Sequence, residues 1–205
     1  MTVLGWTRHR TNLPSGVRSL HCGDWTILVS DDPSIQTARH RLAAQVSCFD
    51  AGLDFLPTAP AQNIAIYDAT SFTRTTDLDA LWRKLSDRGQ FSVAVRMAAD
   101  QEHRTQDGRS WLKTRQAQRQ RQRHCGTMLA DIVAHLKLPT TQPRHTENSA
   151  SCDVLVQRDD TNRVHNAMQH LARLMQGPPD MRLCVTGLWP PFGFVDLTSK
   201  TEAAE

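Results

Sequence analysis

Near the start of the chain, apolar and polar residues alternate in two short runs that predict a β-hairpin. The runs cover residues 17–21 and 25–30, with the turn residues Cys22-Gly23-Asp24 between them. Asp31-Asp32-Pro33 then fits a helix start, because a carboxylate can cap the first turn and proline has a suitable φ. Apolar residues recur at helical spacing on one predicted face: Ile35, Ala38, Leu42, Val46 and Phe49. We predict no element in the polar stretch before residue 17.

The remainder of the chain changes between strand and helix patterns several times. Strands are predicted at residues 64–67, 91–97, 152–157 and 181–186. Asp77 is expected to cap a helix with an apolar stripe made of Leu78, Leu81, Trp82 and Leu85. A second helix is expected over residues 108–138, with a break at Gly126, and a third carries Val164, Met168, Leu171 and Met175 inward. Residues 140–150 fit a polar loop.

This order predicts an α+β protein with two parts. Residues 1–57 form a small N-terminal α+β module, and Leu56-Pro57 and Pro60 form a linker or crossover. Residues 58–205 give β-α-β, a long helical insertion over about 108–138, and β-α-β again. Two such halves are typical of the ferredoxin-like fold, in which an antiparallel sheet carries helices on one face.

Composition excludes few classes of function. The chain has 205 residues, of which 39% are hydrophobic and 22% charged, and its net charge of +3 is too small to indicate a nucleic-acid or membrane partner. No apolar run approaches the roughly 20 residues of a membrane-spanning helix, and the N-terminus does not fit a secretory signal. The five cysteines are scattered without a CxxC pair, which favours buried thiols in a reduced cytoplasm.

The densest charge lies in the predicted long helix. It contains six cations and no acid between residues 108 and 130: Arg109, Lys113, Arg115, Arg119, Arg121 and Arg123. Arg115, Arg119 and Arg123 are four apart and share one helix face. Three interpretations stay open: a solvated face, a docking surface for an acidic protein, and an RNA-binding ferredoxin-like module using residues 109–124. The RNA module would need exposed aromatics on its central strands, where residues 91–97 offer only Phe91.

Motifs of catalysis and metal binding are not found. The sequence has no GxSxG elbow, phosphate-binding loop, dinucleotide-binding turn or HExxH pair. Asp31-Asp32 and Asp159-Asp160 precede predicted helices, and capping accounts for them. We therefore predict no catalytic, cofactor-binding or metal-binding residue, and no enzyme activity.

The segment after the last predicted strand combines aromatic residues with proline. Trp189 and Phe192 flank Pro190-Pro191, and Phe194 follows two residues later. Prolines cannot donate to a sheet ladder, so the segment leaves the sheet in an extended form. Two interpretations stay open: the aromatics fold back over this protein's own surface, or they anchor another protein.

This segment resembles the C-terminal signature of the gas vesicle GvpF/GvpL proteins, Gly-Pro-Trp-Pro-Pro-Tyr-Ser-Phe. Gly187, Trp189, Pro190, Pro191 and Phe194 match, whereas Leu188, Phe192 and Gly193 differ. Gly108-Arg109-Ser110-Trp111-Leu112, ahead of the basic helix, is similar to the family's Gly-Arg-x-Tyr-Leu. Weaker similarity lies in residues 151–156 and at Leu56-Pro57, while residues 61–67 lack the family's Arg-Phe-Gly.

The resemblance implies a non-enzymatic accessory or minor structural protein of gas vesicle assembly, located in the cytoplasm with the vesicle. It implies contacts with the small hydrophobic shell protein and with other accessory proteins, no cofactor, and two α+β domains, the second a modified ferredoxin-like domain. The residues expected at protein interfaces lie in the two motifs: Trp189, Pro190, Pro191, Phe192 and Phe194, together with Arg109, Trp111, Arg115, Arg119 and Arg123.

Overall fold

The computed structural model describes residues 1–8, 13–62, 64–98, 108–174 and 181–195. Contacts divide the chain into two units, of which the first comprises residues 1–89 with 189–205 and the second residues 90–188. Each unit contains a four-stranded antiparallel sheet, which confirms the α+β class.

The first sheet has the strand order β2-β3-β1-β4, built from β1 (Thr2–Thr7), β2 (Val17–Cys22), β3 (Trp25–Ser30) and β4 (Leu56–Pro57). The predicted hairpin is β2 and β3. The central strand β1 was not predicted, although all six of its residues are buried. Its apolar run is short and interrupted by Gly5, so it carries little periodic signal. β4, expected within a linker, pairs with β1 through Leu56 and Pro57.

Helix α1 (Ala38–Asp50) buries a face that only partly matches the predicted one: Phe49 is buried, but Leu42 and Val46 are half-buried. Arg41, Gln45, Cys48 and Phe49 are buried, whereas Ala38 is exposed. A short 3₁₀ turn, Pro33–Gln36, comes first and is capped by Asp32, so the α-helix begins later, at its own cap Thr37. The prediction of the buried face was therefore inaccurate, because it assumed that only apolar side chains face the core.

Gln45 explains why a polar face of α1 is buried. Its Nε2 donates to the carbonyl oxygens of Leu4 at 2.8 Å and of Thr58 at 2.9 Å. The Thr58 backbone N–H also donates to the Leu4 oxygen, at 3.0 Å. One buried amide thus joins α1 to β1 and to the residue after β4, which satisfies groups that would otherwise be costly to bury.

Residues expected to form a strand at 64–67 instead begin helix α2 (Ile66–Thr75). Trp6 fixes this helix against β1, because its Nε1 donates to Thr73 Oγ1 at 3.0 Å and its ring lies 5.0 Å from that of Phe72. Helix α3 (Leu78–Leu85) is capped as predicted, with Asp77 Oδ1 accepting from the Ala80 N–H at 2.9 Å.

The contacts of α2 and α3 place the division between the units after residue 89, whereas the sequence analysis places a domain boundary after residue 57. Helix α2 contacts β1 and β3, and α3 contacts β4. As a statement about independently folding domains, the boundary stays a prediction, and these contacts favour residue 89.

The second sheet has the order β6-β7-β5-β8, formed by β5 (Arg88–Met97), β6 (Arg144–Thr146), β7 (Ser149–Gln157) and β8 (Met181–Trp189). Helix α4 (Gly108–Leu136) connects β5 to β6, and α5 (Thr161–Leu174) connects β7 to β8. The chain order β-α-β-β-α-β is that of the ferredoxin-like fold. Helix α4, expected as an insertion, is therefore the first helix of this fold, and β6 lies inside the predicted polar loop.

The core of the second unit lies between the sheet and one face of both helices. Alternate strand residues face it, which is the pattern that a half-buried sheet requires. Its buried members are Phe91, Val93, Val95, Cys125, Leu129, Ile132, Ala150, Cys152, Val154, Val156, Val164 and Met168. Gly126 does not break α4. The side chains of Leu171 and Met175, predicted to point inward, lie outside the described part.

The backbone at Gly5 predicts a large effect of a small substitution. A Cβ at this position would lie 2.2 Å from the Leu56 carbonyl oxygen, at the irregularity where the β1–β3 register shifts. We expect Gly5→Ala to lower the free energy of unfolding in urea by about 2 kcal/mol or more, since overpacking here requires backbone movement. Gly108→Ala is the matched control, because its Cβ would meet nothing within 4 Å. Equal stability of the two variants would contradict the close approach.

Candidate protein-interaction surfaces

Helix α4 has two halves with different surroundings. Cys125, Leu129 and Ile132 are buried in the core of the second unit. Residues 108–116 are exposed wherever their side chains are described, including Trp111 at 55% and Leu112 at 62% exposure. The sequence explains the change, because large apolar residues at core spacing begin only at Cys125.

Trp111, Arg115, Arg119 and Arg123 form one line along the exposed half of α4, here termed the arginine stripe. The Arg115 guanidinium carbon lies 5.8 Å from the Trp111 ring centroid, within cation–π range. Among the described residues, none of the three arginines is paired with a carboxylate. Arg109, two residues before the first member of the stripe, is exposed as well. The structure thus places the five predicted α4 residues on the protein surface.

The stripe lies between two depressions. One, of about 340 Å³, separates α4 from the β6–β7 hairpin and is lined by Arg115, Gln118, Arg119, Gln122, His145, Thr146 and Glu147. The other, of about 820 Å³, is lined in the described part by Trp111, Leu112, Arg115, Gln116, Arg119, Gln120 and Arg123. Because both depressions share Arg115 and Arg119, these side chains form the ridge between them.

The absence of a side chain at Gly126 lets the β6–β7 hairpin lie close to α4 beside the first depression. A Cβ built on Gly126 would lie 3.0 Å from Cε1 of His145, closer than ordinary van der Waals contact. The glycine that suggested a helix break is therefore the place where the β6–β7 hairpin approaches the helix. This contact brings His145 beside the stripe, a neighbour that the sequence analysis did not predict.

The C-terminal signature segment, residues 187–194, leaves β8 at Trp189 and enters a 3₁₀ turn at Phe192–Phe194. The turn is held by backbone hydrogen bonds from Phe192 to Pro190 at 2.7 Å and from Phe194 to Pro191 at 3.1 Å. Both prolines are buried, while Trp189, Phe192 and Phe194 are half-buried. By its contacts the segment from Trp189 onward belongs to the first unit, whereas α4 belongs to the second. The prolines thus have structural contacts, and the aromatics keep exposed surface.

The second unit contains a buried carboxylate, which is a type of group that can act in catalysis. Asp153 is 2% exposed; its Oδ1 accepts from Ser92 Oγ at 2.6 Å and its Oδ2 from Arg144 Nη2 at 2.9 Å. Both oxygens are therefore used by structural partners, and Arg144 ties β6 to β7. The sequence signal was an aspartate inside an apolar strand, which requires a buried partner.

A cation and two tryptophans form a further cluster that the sequence did not reveal. Arg8, at the end of β1, lies with its guanidinium carbon 4.9 Å from the Trp25 ring centroid and pairs with Asp79 of α3. Trp25 contacts Trp82 edge-to-face at 5.6 Å. The cluster connects α3 to the first sheet. It depends on β1, which the hydrophobic pattern did not predict.

Two thiols have strongly shifted acidity. Burial raises the pKa of Cys48 to about 11, and burial together with the neighbouring Asp153 charge raises the pKa of Cys152 to about 11. Both are therefore protonated at neutral pH and poor nucleophiles. Across residues 1–8, 13–62, 64–98, 108–174 and 181–195, no group of three or more His, Cys, Asp or Glu is placed to hold a metal ion.

Comparison with known structures first defines the class of fold. A crystal structure of the gas vesicle protein GvpF from Anabaena sp. PCC7120 superposes with a TM-score of 0.69 at 12% identity, covering 99% of this chain and 98% of that one. GvpF from Microcystis aeruginosa gives a TM-score of 0.65 at 14% identity, with coverages of 94% and 97%. No curated protein sequence matches the chain significantly.

Family membership follows from a match between this sequence and the model of a protein family. Residues 67–196, more than half of the chain, match the model of the gas vesicle synthesis protein GvpL/GvpF family. The chain belongs to this family, which confirms the resemblance seen in the motifs at residues 108–112 and 187–194. It is therefore a gas vesicle assembly protein. None of the helices in the described part of the chain combines the length and hydrophobicity that crossing a bilayer requires.

The raised pKa values predict an order of thiol alkylation. Since a raised pKa keeps the thiol protonated until the pH approaches about 11, we expect Cys48 and Cys152 to resist iodoacetamide at pH 8 in the folded protein. Cys22 and Cys184, which are only half-buried, should react first. Peptide mass spectrometry after timed quenching measures this order, with a urea-unfolded sample as the control. Equal labelling of all four in the folded protein would contradict the burial.

Arg144 should matter more for stability than its exposure suggests. Arg144→Ala removes a charged donor from the buried Asp153 carboxylate, so we expect a loss of about 1–3 kcal/mol in the free energy of unfolding. Arg163→Ala breaks an exposed pair with Asp160, whose side chains are 79% and 44% exposed, and should change stability by less than about 0.5 kcal/mol. Urea unfolding of both variants measures the difference, and equal effects would show that the Asp153 pair contributes little.

Proposed function

We propose that this protein is a non-enzymatic accessory or minor structural protein of gas vesicle assembly, acting in the cytoplasm and on the growing vesicle without a cofactor. In this proposal it binds the small hydrophobic shell protein and other accessory proteins. The observation that carries the proposal is the signature segment: its prolines are buried and its backbone is fixed, while three aromatic side chains keep exposed surface.

The physical need for such a protein follows from the shell subunit. A subunit with a large apolar face associates non-specifically until it is assembled. An accessory protein that covers part of this face, and releases it at the growing shell, prevents that association. Trp189, Phe192 and Phe194 suit this role, because half-exposed aromatic rings on a fixed backbone gain contact area with little loss of conformational entropy.

The arginine stripe and Arg109 provide a second contact in the proposal. Exposed charges add little affinity in salt, but they raise association rates and select partners of opposite charge. The two surfaces belong to different units of the chain. We therefore assign them to different partners: the signature segment to the shell protein and the stripe to another protein of assembly.

Co-purification with the shell protein tests the first assignment. We expect Trp189→Ala to reduce the recovered shell protein about tenfold, since truncating an aromatic anchor costs about 1.4 kcal/mol or more of binding free energy. Tyr67→Ala, which truncates an aromatic exposed at 83% on α2, is the matched control and should leave recovery unchanged. Circular dichroism and urea unfolding establish that each variant is folded.

A second variant guards against a merely structural effect of Trp189. Phe192→Tyr restores the family's usual residue at a half-buried position and should keep recovery at the wild-type level or above. If folded Trp189→Ala retains full recovery, the signature segment is not the shell-binding surface. If charge reversal of the stripe also changes no recovery of any partner, both surfaces are misassigned.

A further inference from the structure

We propose that the arginine stripe binds an acidic α-helical segment of a partner protein, whose apolar side chain packs against Trp111 and Leu112. The inference deepens the proposed function and rests on it, because it gives the chemistry of the partner at the second surface. Four features of the structure support it: unpaired charge, regular spacing, an apolar end and flanking depressions.

The arginines of the stripe form no ion pair with any carboxylate in the described part of the chain. All three, Arg115, Arg119 and Arg123, are exposed. Like charges four residues apart on a helix repel. The arrangement therefore disfavours the isolated helix, and a partner that brings carboxylates would remove this repulsion.

The spacing of the stripe fits a helix better than an irregular acidic segment. Its members are four residues apart, so successive side chains rise by about 6 Å and the whole stripe spans about 18 Å. A partner helix running alongside α4 repeats carboxylates at the same rise when acids are placed four apart. About 12 residues of such a helix match the stripe, and the depressions on both sides of the ridge leave room for the partner's side chains.

The end of the stripe has a different chemistry. Trp111 and Leu112 are the only large hydrophobic side chains of the second unit's described part that are classed as exposed. They lie one turn before Arg115. An acidic helix with a leucine-sized residue one turn beyond its carboxylates would therefore bury this pair while its acids meet the arginines.

The charge distribution favours a protein over a nucleic acid. The chain has 24 Lys and Arg and 21 Asp and Glu, and the basic half of α4 holds six of the cations and no acid. The remaining 18 cations and 21 acids give the rest of the chain a net charge of −3, which repels a long polyanion. Glu147 lines the depression beside the stripe, and Phe91, the aromatic on the central strand, is buried and cannot stack on a base.

Fluorescence anisotropy with a labelled 14-residue peptide tests the inference on the full chain. The probe carries leucine at its first position and glutamate at its fourth, eighth and twelfth positions in an alanine-rich helix. A permuted peptide of equal composition spreads the glutamates around the helix, and a 12-nucleotide single-stranded RNA is the third ligand. We expect the permuted peptide to bind at least tenfold more weakly than the probe.

Two triple variants separate the stripe from overall charge. Combined Arg115→Glu, Arg119→Glu and Arg123→Glu should weaken the probe at least tenfold. Combined Arg39→Glu, Arg74→Glu and Lys84→Glu changes the net charge equally at exposed positions of the first unit and should leave binding within about twofold. Trp111→Ala should weaken the probe but not a probe in which leucine is replaced by alanine, which isolates the apolar contact.

Each other outcome overturns the inference. Equal binding of probe and permuted peptide shows that the spacing is irrelevant, and no binding shows a solvated face. Tighter binding of the RNA, with a steep loss between 50 and 200 mM salt, identifies a nucleic-acid surface. None of these outcomes affects the Trp189 co-purification, so the shell assignment can stand while this inference fails. The reverse holds when the probe binds and folded Trp189→Ala still recovers the shell protein in full.

Discussion

A single long helix has to serve two environments, and the second unit is arranged around that constraint. Helix α4 has 29 residues and is therefore about 43 Å long, whereas the 10 residues of β5 span about 33 Å. A helix of this length extends beyond what one sheet can cover. From Cys125 onward, one face of α4 is apolar and packs in the core of the unit. The first four turns have no such core to pack against, so their side chains are free to be polar and charged.

This division explains why the first part of α4 is unsuited to isolated stability. It combines like charges at helical spacing with cations near a helix N-terminus, and both features disfavour the helix. The core contacts of Leu129 and Ile132 stabilise the second half, and helix propagation from a formed half is far easier than nucleation. The packed half thus supports a charged half that would be marginal by itself.

Sequence patterns predicted the second unit better than the first, for a physical reason. In the second unit, alternate strand residues and helix stripes are apolar, so β5, β7, α4 and α5 follow from periodicity. The predicted strand at residues 64–67 was nevertheless wrong, because its composition favours a strand but helix α2 begins at Ile66. The first β-α-β unit was therefore assigned to the wrong segments. What decides the state of residues 64–67 is the long-range contact of Trp6 with Thr73 and Phe72, which no local pattern contains.

The first unit relies on interactions that periodicity cannot reveal. Its α1 buries Arg41 and Gln45, and the Gln45 Nε2 donates to the backbone carbonyls of Leu4 and Thr58, groups that are present whatever side chains those residues carry. The same holds for the candidate surfaces: the motifs located Trp189 and the arginine stripe, but not the approach of His145 at Gly126 nor the buried Asp153. Each of these depends on two segments meeting in space.

The two kinds of comparison cover the chain differently. The family model begins at residue 67 and so omits the whole first sheet, yet the solved GvpF structure from Anabaena covers 99% of the chain. That structure is 12% identical to the chain, so the shared fold does not require a closely similar sequence. In the second unit and the signature segment, by contrast, apolar periodicity and the aromatic–proline pattern are recognisable in the sequence itself. The interaction surfaces that we propose both lie within that recognisable part.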